Sequence, residues 1–322
     1  DSRLRGNNEC RAEGEFSLVH PHLWTPETPY LYNITTEAFD SLGNLLDVES
    51  MEIGIRTVNV TKEHGFQLNG RTRKIKGVCL HHDLGPLGAA VNKAALIRQV
   101  RILKDMGCDA IRTSHNMPST MQMEVYDSLG MMVMAESFDM WKYPKCKNGY
   151  ALFFDEWADR DIENLVLNHR NHASNIMWSI GNEIDYPNDP YSHPILDGRN
   201  SKINQPMFGG YKPDAPNAER IGKIAKRLAK CIRDVDTSRP VTGALAGVVM
   251  SNETEYPQAV DVVGYNYTEN RYAEDHLTYP DRIIYGSETH GSLDAWKAVR
   301  DNEHIFGQFV WTGMDYLGES GA

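Results

Sequence analysis

Apolar positions along the chain fall into two textures. Between Leu31 and Val60 they alternate with polar ones through L-Y-N-I-T-T-E-A-F, break at D40-S-L-G-N44, and resume in L-L-D-V-E-S-M-E-I-G-I-R-T-V-N-V. A period of two, rich in β-branched and aromatic residues around a Gly/Asn turn, predicts a hairpin. These are a few strands of a β-sandwich, too few to close one alone. A second turn, H64-G-F-Q-L-N-G70, ends this texture. From Lys74 onward short apolar runs at 74–80, 110–114, 131–135, 176–180, 241–246, 260–265, 282–287 and 305–311 alternate with helical stretches near 92–106, 119–129, 154–170, 218–235 and 292–301. Near-continuously apolar strands separated by amphipathic helices imply a parallel sheet buried on both faces, and eight of them fit a (β/α)8 TIM barrel. An open doubly wound sheet fits less well, because no G-x-G-x-x-G follows the first run. The expected division is therefore 1–60 for the partial sandwich and 61–322 for the barrel. Only L317-G-E-S-G-A322 is left after the eighth run, so the barrel's last helix is missing and the natural polypeptide is expected to continue.

Composition narrows the function classes. With 41% hydrophobic and 24% charged residues in 322, the chain reads as a globular protein, not a disordered, collagen-like or low-complexity one, and the strand–helix pattern makes it α/β. Its net charge of -11 would repel a nucleic-acid backbone, and no basic patch offsets it. No apolar run approaches the ~20 residues that cross a bilayer. The five cysteines (Cys10, Cys79, Cys108, Cys146, Cys231) are odd in number and lack C-x-x-C spacing, which predicts buried free thiols rather than a zinc ribbon or a disulfide framework. The opening D1-S-R-L-R-G-N-N-E-C10 lacks the basic-then-apolar pattern of a signal peptide and says nothing about export, so localisation, periplasm or cytoplasm, stays open.

In such a barrel the chemistry sits at the C-terminal ends of the strands. Polar residues cluster there: His81-His82-Asp83 after the first run, Arg112 and His115-Asn116 on the second, Glu136 on the third, and Asn182-Glu183 on the fourth. Tyr265-Asn266-Tyr267 ends the sixth, Glu288-Thr289-His290 the seventh, and Trp311 the eighth. Two glutamates on opposite sides of one mouth suit hydrolysis of a glycosidic bond, in which one carboxyl protonates the leaving oxygen and the other attacks or activates water. Tyr265 and Trp311, with Trp141 and Trp178, are candidates for stacking on sugar faces.

These motifs resemble glycoside hydrolase family 2, the bacterial β-galactosidases in particular. The resemblance is carried by W-S-I-G-N-E (178–183), I-I-Y-G-S-E-T (283–289), L-W-T-P-E-T-P-Y-L-Y (23–32), I-G-I-R-T-V (53–58), K-G-V-C-L-H-H (76–82), I-R-T-S-H-N (111–116) and W-T-G-M-D-Y-L-G-E (311–319). It implies a jelly roll, here absent, then an immunoglobulin-like sandwich, here only its last strands, then the catalytic barrel. It further implies a retaining, exo-acting β-glycosidase in which Glu183 is the acid/base and Glu288 the nucleophile. Arg112 would hold the nucleophile ionised, Tyr265 would touch it, Asn182 would bond the sugar 2-hydroxyl, and His81, His115, Asn116 and Trp311 would contact the sugar. His82, Glu136 and His290 are placed nearby. The implied partner is an oligosaccharide or glycoconjugate with a terminal β-linked sugar, and a homo-oligomer is allowed.

Departures from the pattern matter as much. Large bacterial β-galactosidases build a magnesium site partly from a Glu-x-His after strand three, whereas this chain reads E136-S-F-D-M-W141. No metal or other cofactor is expected. β-Glucuronidases read the substrate carboxylate with an Asn-x-Lys element beyond strand eight, a region outside this sequence, so glucuronidase is the alternative. A zinc-dependent barrel hydrolase using His81, His82, Asp83 and His115 fits poorly, because adjacent strand residues point to opposite faces. An inactive carbohydrate-binding relic is the rival from another class, opposed by retention of both glutamates and Arg112.

Overall fold

The computed structural model describes residues 14–15, 17–185, 191–197 and 210–315. Cys10 and residues 316–322, with the end of the 311–319 motif, lie outside them. Two antiparallel strands, β1 (Tyr32–Phe39) and β2 (Leu45–Ile53), form the expected hairpin. Their turn is closed by Asp40, whose carboxylate accepts from the backbone N–H groups of Leu42 and Asn44.

The strand does not run on to Val60 as its alternation suggests. It stops at Gly54, where an added Cβ would lie 2.5 Å from that of Ala173 and 2.9 Å from that of Trp24. The chain turns there and starts a separate antiparallel sheet of β3 (Val58–Thr61), β4 (Gly65–Leu68) and β5 (Arg71–Thr72). This sheet seats Phe66 against Phe306 of the last barrel strand, ring centroids 6.4 Å apart. The segment before it is fastened to the barrel by buried Trp24, whose indole N–H donates to the Asp127 carbonyl, and by Arg56, which donates to the carbonyls of Ala173 and Asn175.

Eight parallel strands then close into a barrel in chain order: β6 (Ile75–Leu80), β7 (Ala110–Thr113), β8 (Met132–Glu136), β9 (Asn175–Asn182), β10 (Val241–Leu245), β11 (Val262–Asn266), β12 (Ile284–Thr289) and β13 (Ile305–Val310). Helices α1 (Lys93–Asp105), α2 (Thr120–Leu129), α3 (Phe154–His169) and α4 (Glu219–Arg233) cover the first four. The first two begin at side-chain caps: Asn92 accepts from Ala95 N–H, and Ser119 with Gln122 makes a reciprocal capping box. Leu96, Gln99, Val100 and Leu103 give α1 one buried stripe with spacings of three and four. Gly130, at φ 70°, ends α2 in the left-handed conformation that an L side chain resists.

Three short helices, α5 (Val248–Ser251), α6 (Tyr256–Ala259) and α7 (Tyr272–Thr278), precede α8 (Leu293–Arg300) and were not visible in the periodicity. Two of them are single turns, too short to show a period.

Side chains along most barrel strands alternate between two cores, although adjacent Ile176 and Met177 of β9 share one of them. Cys79, Ala110, Met132, Met134, Val262, Tyr285 and Phe309 pack in one cluster with Phe66 of the bottom sheet, inside the barrel. Ile111, Val133, Trp178, Val263 and Tyr265 pack with the residues of the helices. This alternation decides which strand-end side chains can meet at the mouth.

Of the described cysteines, all free, Cys79 is buried but Cys146 is exposed, which corrects the expectation that the thiols are all interior.

Candidate active site

Arg112 is the hub of the site. It points inward from β7, is fully buried, and needs anions to justify its charge there. Its Nη1 donates to Glu288 Oε1 at 2.7 Å, its Nε and Nη2 donate to Glu136 Oε2 at 2.9 and 2.8 Å, and Nη2 donates to Asn182 Oδ1 at 2.8 Å. One guanidinium on the second barrel strand thus fixes side chains from the third, fourth and seventh.

Glu136 lies beneath the mouth, fully buried. Burial alone would raise its pKa, but the Arg112 charge and hydrogen bonds from His115 and Ser179 overcome that and hold it at about 2. His115 Nδ1 lies 2.7 Å from Glu136 Oε1, an arrangement that leaves Nε2 facing Glu288 Oε1 at 3.6 Å. The His115 ring lies parallel to Trp311, centroids 5.2 Å apart, and His81 meets Trp311 edge-on at 4.9 Å. These three rings form one aromatic wall of the mouth.

A stability prediction follows for Glu136. Its folded pKa lies below the ordinary 4.5, so the stability it contributes is present above that value and lost as pH falls toward 2. Glu136→Gln is expected to lower Tm by about 5–10 °C at neutral pH, the lower end of what breaking a buried ion pair costs because Arg112 keeps Glu288. Thermal melts over a pH series should show the gap between the two proteins closing below pH ~4.5.

Glu183 follows β9 with φ 45°, a left-handed conformation unusual for a residue with a side chain. Its Oε1 accepts from Asn266 Nδ2 at 3.1 Å. Burial, and then the nearby charge of Glu288, raise its carboxyl above the ordinary range, so it favours the protonated form more than a free glutamate does. Glu288, on β12, carries its own fixed partners in Arg112 and Tyr267. The two carboxyls therefore occupy different environments within electrostatic reach of each other.

Tyr265 is the principal correction. Its side chain turns away from the mouth into the helix layer, where its hydroxyl donates to Asp275 Oδ2 at 2.6 Å and accepts from Arg282 at 3.0 Å. The tyrosine at Glu288 is Tyr267, whose phenol is pushed up by burial, then by the Glu288 charge and their mutual hydrogen bond. The pairing of β11 with β12 shifts register between Tyr265 and Asn266, and Tyr267 adopts φ 51°. That irregularity aims Asn266 and Tyr267 together at the site, where strict alternation would present only one of them.

Other expected members sort by side-chain direction. Adjacent His81 and His82 diverge as strand parity requires: His82 Nδ1 contacts Gln122 at 3.0 Å, away from the wall. Asn116 is exposed and is bridged to Phe138 by its backbone. His290 is also exposed, its ring 4.6 Å from that of Tyr267. Trp141 and Trp178 do not face the mouth: both are fully buried, with indole N–H groups donating to the Ile180 carbonyl and to Asp236.

Sequence reasoning missed Asn266 as a bridge between Asn182 Oδ1, Glu183 Oε1 and Ser287 Oγ. Its place one residue after Tyr265 was the available signal. Lys145 and Asp139, on the loop after β8, were missed because no period or motif marks them. Among the described residues no group of three or more His, Cys, Asp or Glu is arranged to hold a metal ion.

Comparison with known proteins identifies the family. The model described as "Glycosyl hydrolases family 2, TIM barrel domain" matches residues 58–279, and a second, "Glycosyl hydrolases family 2", matches residues 2–56. The chain is 33% identical to the β-galactosidase BoGH2A of Bacteroides ovatus, over 99% of this chain and 44% of that protein. It is 31% identical to a putative β-glucuronidase of Formosa agariphila, over 95% of this chain and 31% of that one. A solved glycosyl hydrolase family 2 member from Bacteroides cellulosilyticus superposes with a TM-score of 0.78 at 38% identity, covering 92% of this chain and 34% of that one. A Bacteroides uniformis β-glucuronidase superposes with a TM-score of 0.73 at 26% identity, covering 92% and 37%. The chain spans less than half the length of these relatives. With one family model spanning most of the barrel and paired glutamates at the ends of its fourth and seventh strands, the chain belongs to glycosyl hydrolase family 2.

Proposed function

We propose that this chain carries the catalytic barrel of a retaining, exo-acting β-glycoside hydrolase, with Glu288 as nucleophile and Glu183 as acid/base. The observation that carries this reading is the asymmetry of the two glutamates. Glu288 is held by two donors, the Arg112 guanidinium and the Tyr267 hydroxyl, whereas Glu183 has neither of them and is shifted toward its protonated form by burial and by the Glu288 charge. In the first step Glu288 attacks the anomeric carbon while Glu183 gives its proton to the departing glycosidic oxygen, and the carbon–oxygen bond to the aglycone breaks. Glu183, now a carboxylate, then takes a proton from water, whose oxygen displaces Glu288 and restores the original configuration.

Asn182 suits a contact to the sugar 2-hydroxyl, and the His81–His115–Trp311 wall suits the apolar face of the ring. On this reading residues 1–60 end a sandwich domain and 61–322 form the catalytic unit. A β-galactoside is the favoured substrate, consistent with the name of the Bacteroides ovatus relative. The β-glucuronidases among the relatives make a glucuronide the alternative. Initial rates on a panel of aryl β-glycosides test this directly: the galactoside is expected to be turned over fastest, and no turnover of any member would reject the hydrolase reading.

The Tyr265/Tyr267 exchange is also testable. Tyr267→Phe removes a hydroxyl from the nucleophile and is expected to lower kcat about 10²-fold, as loss of a single hydrogen bond to reacting charge does elsewhere. Tyr265→Phe should leave kcat close to wild type and lower Tm by a few degrees, because a buried Asp275 partner is lost. The reverse pattern would restore Tyr265 to the site.

A further inference from the structure

The loop between β8 and α3 places one cation against the base of the acid/base strand end. Lys145 is only 11% exposed, and its Nζ donates to Asp139 Oδ1 at 3.0 Å and to the Asn182 carbonyl at 2.9 Å. The same Asp139 Oδ1 accepts from Asn182 Nδ2 at 3.2 Å. Lys145 and Asp139 therefore grip both the carbonyl and the side chain of the residue immediately before Glu183. The carbonyl gripped by Lys145 belongs to the peptide that joins Asn182 to Glu183, where the chain enters its left-handed turn. A lysine at this depth gives up hydration, and a solvated loop has no need of it there.

We propose that Lys145 is a positioning residue of the reaction: with Asp139 it clamps the Asn182–Glu183 peptide and sets the pH at which Glu183 surrenders its proton. This rests on the assignment of Glu183 as acid/base. The charges facing Glu183 come from several elements: Glu288 from β12, Asp185 just beyond β9, and Lys145 from the loop, with the Tyr267 phenol and the neutral Asn266 amide completing its surroundings. Lys145 is the cation among the principal influences on Glu183, where it opposes burial and the two neighbouring carboxylates. Its own charge is balanced by Asp139, so the pair acts as a dipole whose two ends can be removed separately.

The signs are opposite for the two removals. Lys145→Met deletes the charge that favours the Glu183 carboxylate and leaves Asp139 unbalanced, so the alkaline limb of the kcat/KM profile moves to higher pH. Asp139→Asn keeps an acceptor for Asn182 but frees the Lys145 charge, so the limb moves to lower pH. A limb displaced by half a pH unit changes the ratio of kcat/KM above the limb to its plateau by about threefold.

The experiment measures full pH profiles in the natural polypeptide for Lys145→Met, Lys145→Arg and Asp139→Asn. The expected result is a threefold or larger rise of that ratio in Lys145→Met, a fall in Asp139→Asn, and return toward wild type in Lys145→Arg, which restores the cation. A Lys145→Met enzyme that folds and loses kcat uniformly at every pH overturns the proposal, as does a shift of the same sign in both removals. Leaving-group dependence of Glu183→Ala, measured in parallel, separates the two levels. If that variant discriminates strongly between good and poor leaving groups while the limbs stay fixed, only the role of Lys145 fails. If it does not discriminate, the assignment of Glu183 fails and the proposal falls with it.

Discussion

Glu288→Ala is expected to lower kcat on the order of 10⁴-fold or more, with Tm close to wild type. Removing a nucleophile removes the covalent route, and the remaining machinery recovers only a small part of the rate. The structural cost should be modest by comparison, because Arg112 retains Glu136 and Asn182 as partners when Glu288 is gone. A small external anion such as azide or formate, entering the space vacated by the carboxylate, should restore turnover of an activated aryl glycoside and give a product of inverted configuration. Rates with added azide, together with the configuration of the glycosyl azide, check this. A Glu288→Ala enzyme within tenfold of wild type would exclude the residue as nucleophile.

Glu183→Ala should separate substrates by their leaving groups. For an aglycone that departs only when protonated, kcat/KM is expected to fall roughly 10²–10⁴-fold, the usual worth of general acid catalysis. An aryl glycoside with a very acidic phenol needs no proton in the first step, so its glycosylation should change far less. The alkaline limb of the pH profile should vanish in the same variant, since in the proposed mechanism Glu183 is the acid and its carboxyl is raised above the ordinary range. Comparison of two aryl glycosides of widely different leaving-group pKa, across pH, decides the matter: equal losses on both would place the acid elsewhere.

How much of this was legible in the sequence depends on what kind of signal each residue leaves. The eight apolar runs were readable because strands buried on both faces carry little but apolar residues between their ends, as β8 and β11 do. Strand ends then pointed to Glu183, Glu288, Arg112 and Trp311, where polar chemistry interrupts those runs.

The orientation of Tyr265 was not readable, because the register shift before Asn266 and the positive φ at Tyr267 are tertiary events with no glycine to announce them. Trp141 and Trp178 look like sugar platforms in a list of aromatics, yet strand parity and a loop turned inward put both in the helix-facing core. Gly54 was legible only as one residue in an alternating run. Its effect, ending β2, comes from the contacts with Trp24 and Ala173 that only folding supplies. Lys145 lies on an aperiodic loop, and its closeness to Asn182 depends on how that loop folds back over the end of β9.

The central claim is that two carboxyls at the ends of β9 and β12 perform a double displacement through a covalent bond to Glu288. The most direct measurement is trapping with a 2-deoxy-2-fluoro-β-glycoside bearing a good leaving group, followed by intact-mass analysis and peptide mapping. One added fluoroglycosyl group per chain is expected, located on Glu288, with release slowed because the electron-withdrawing fluorine destabilises the oxocarbenium-like transition state. A label on any other residue, or a substrate that is turned over to a product of inverted configuration with no labelled intermediate, would contradict it.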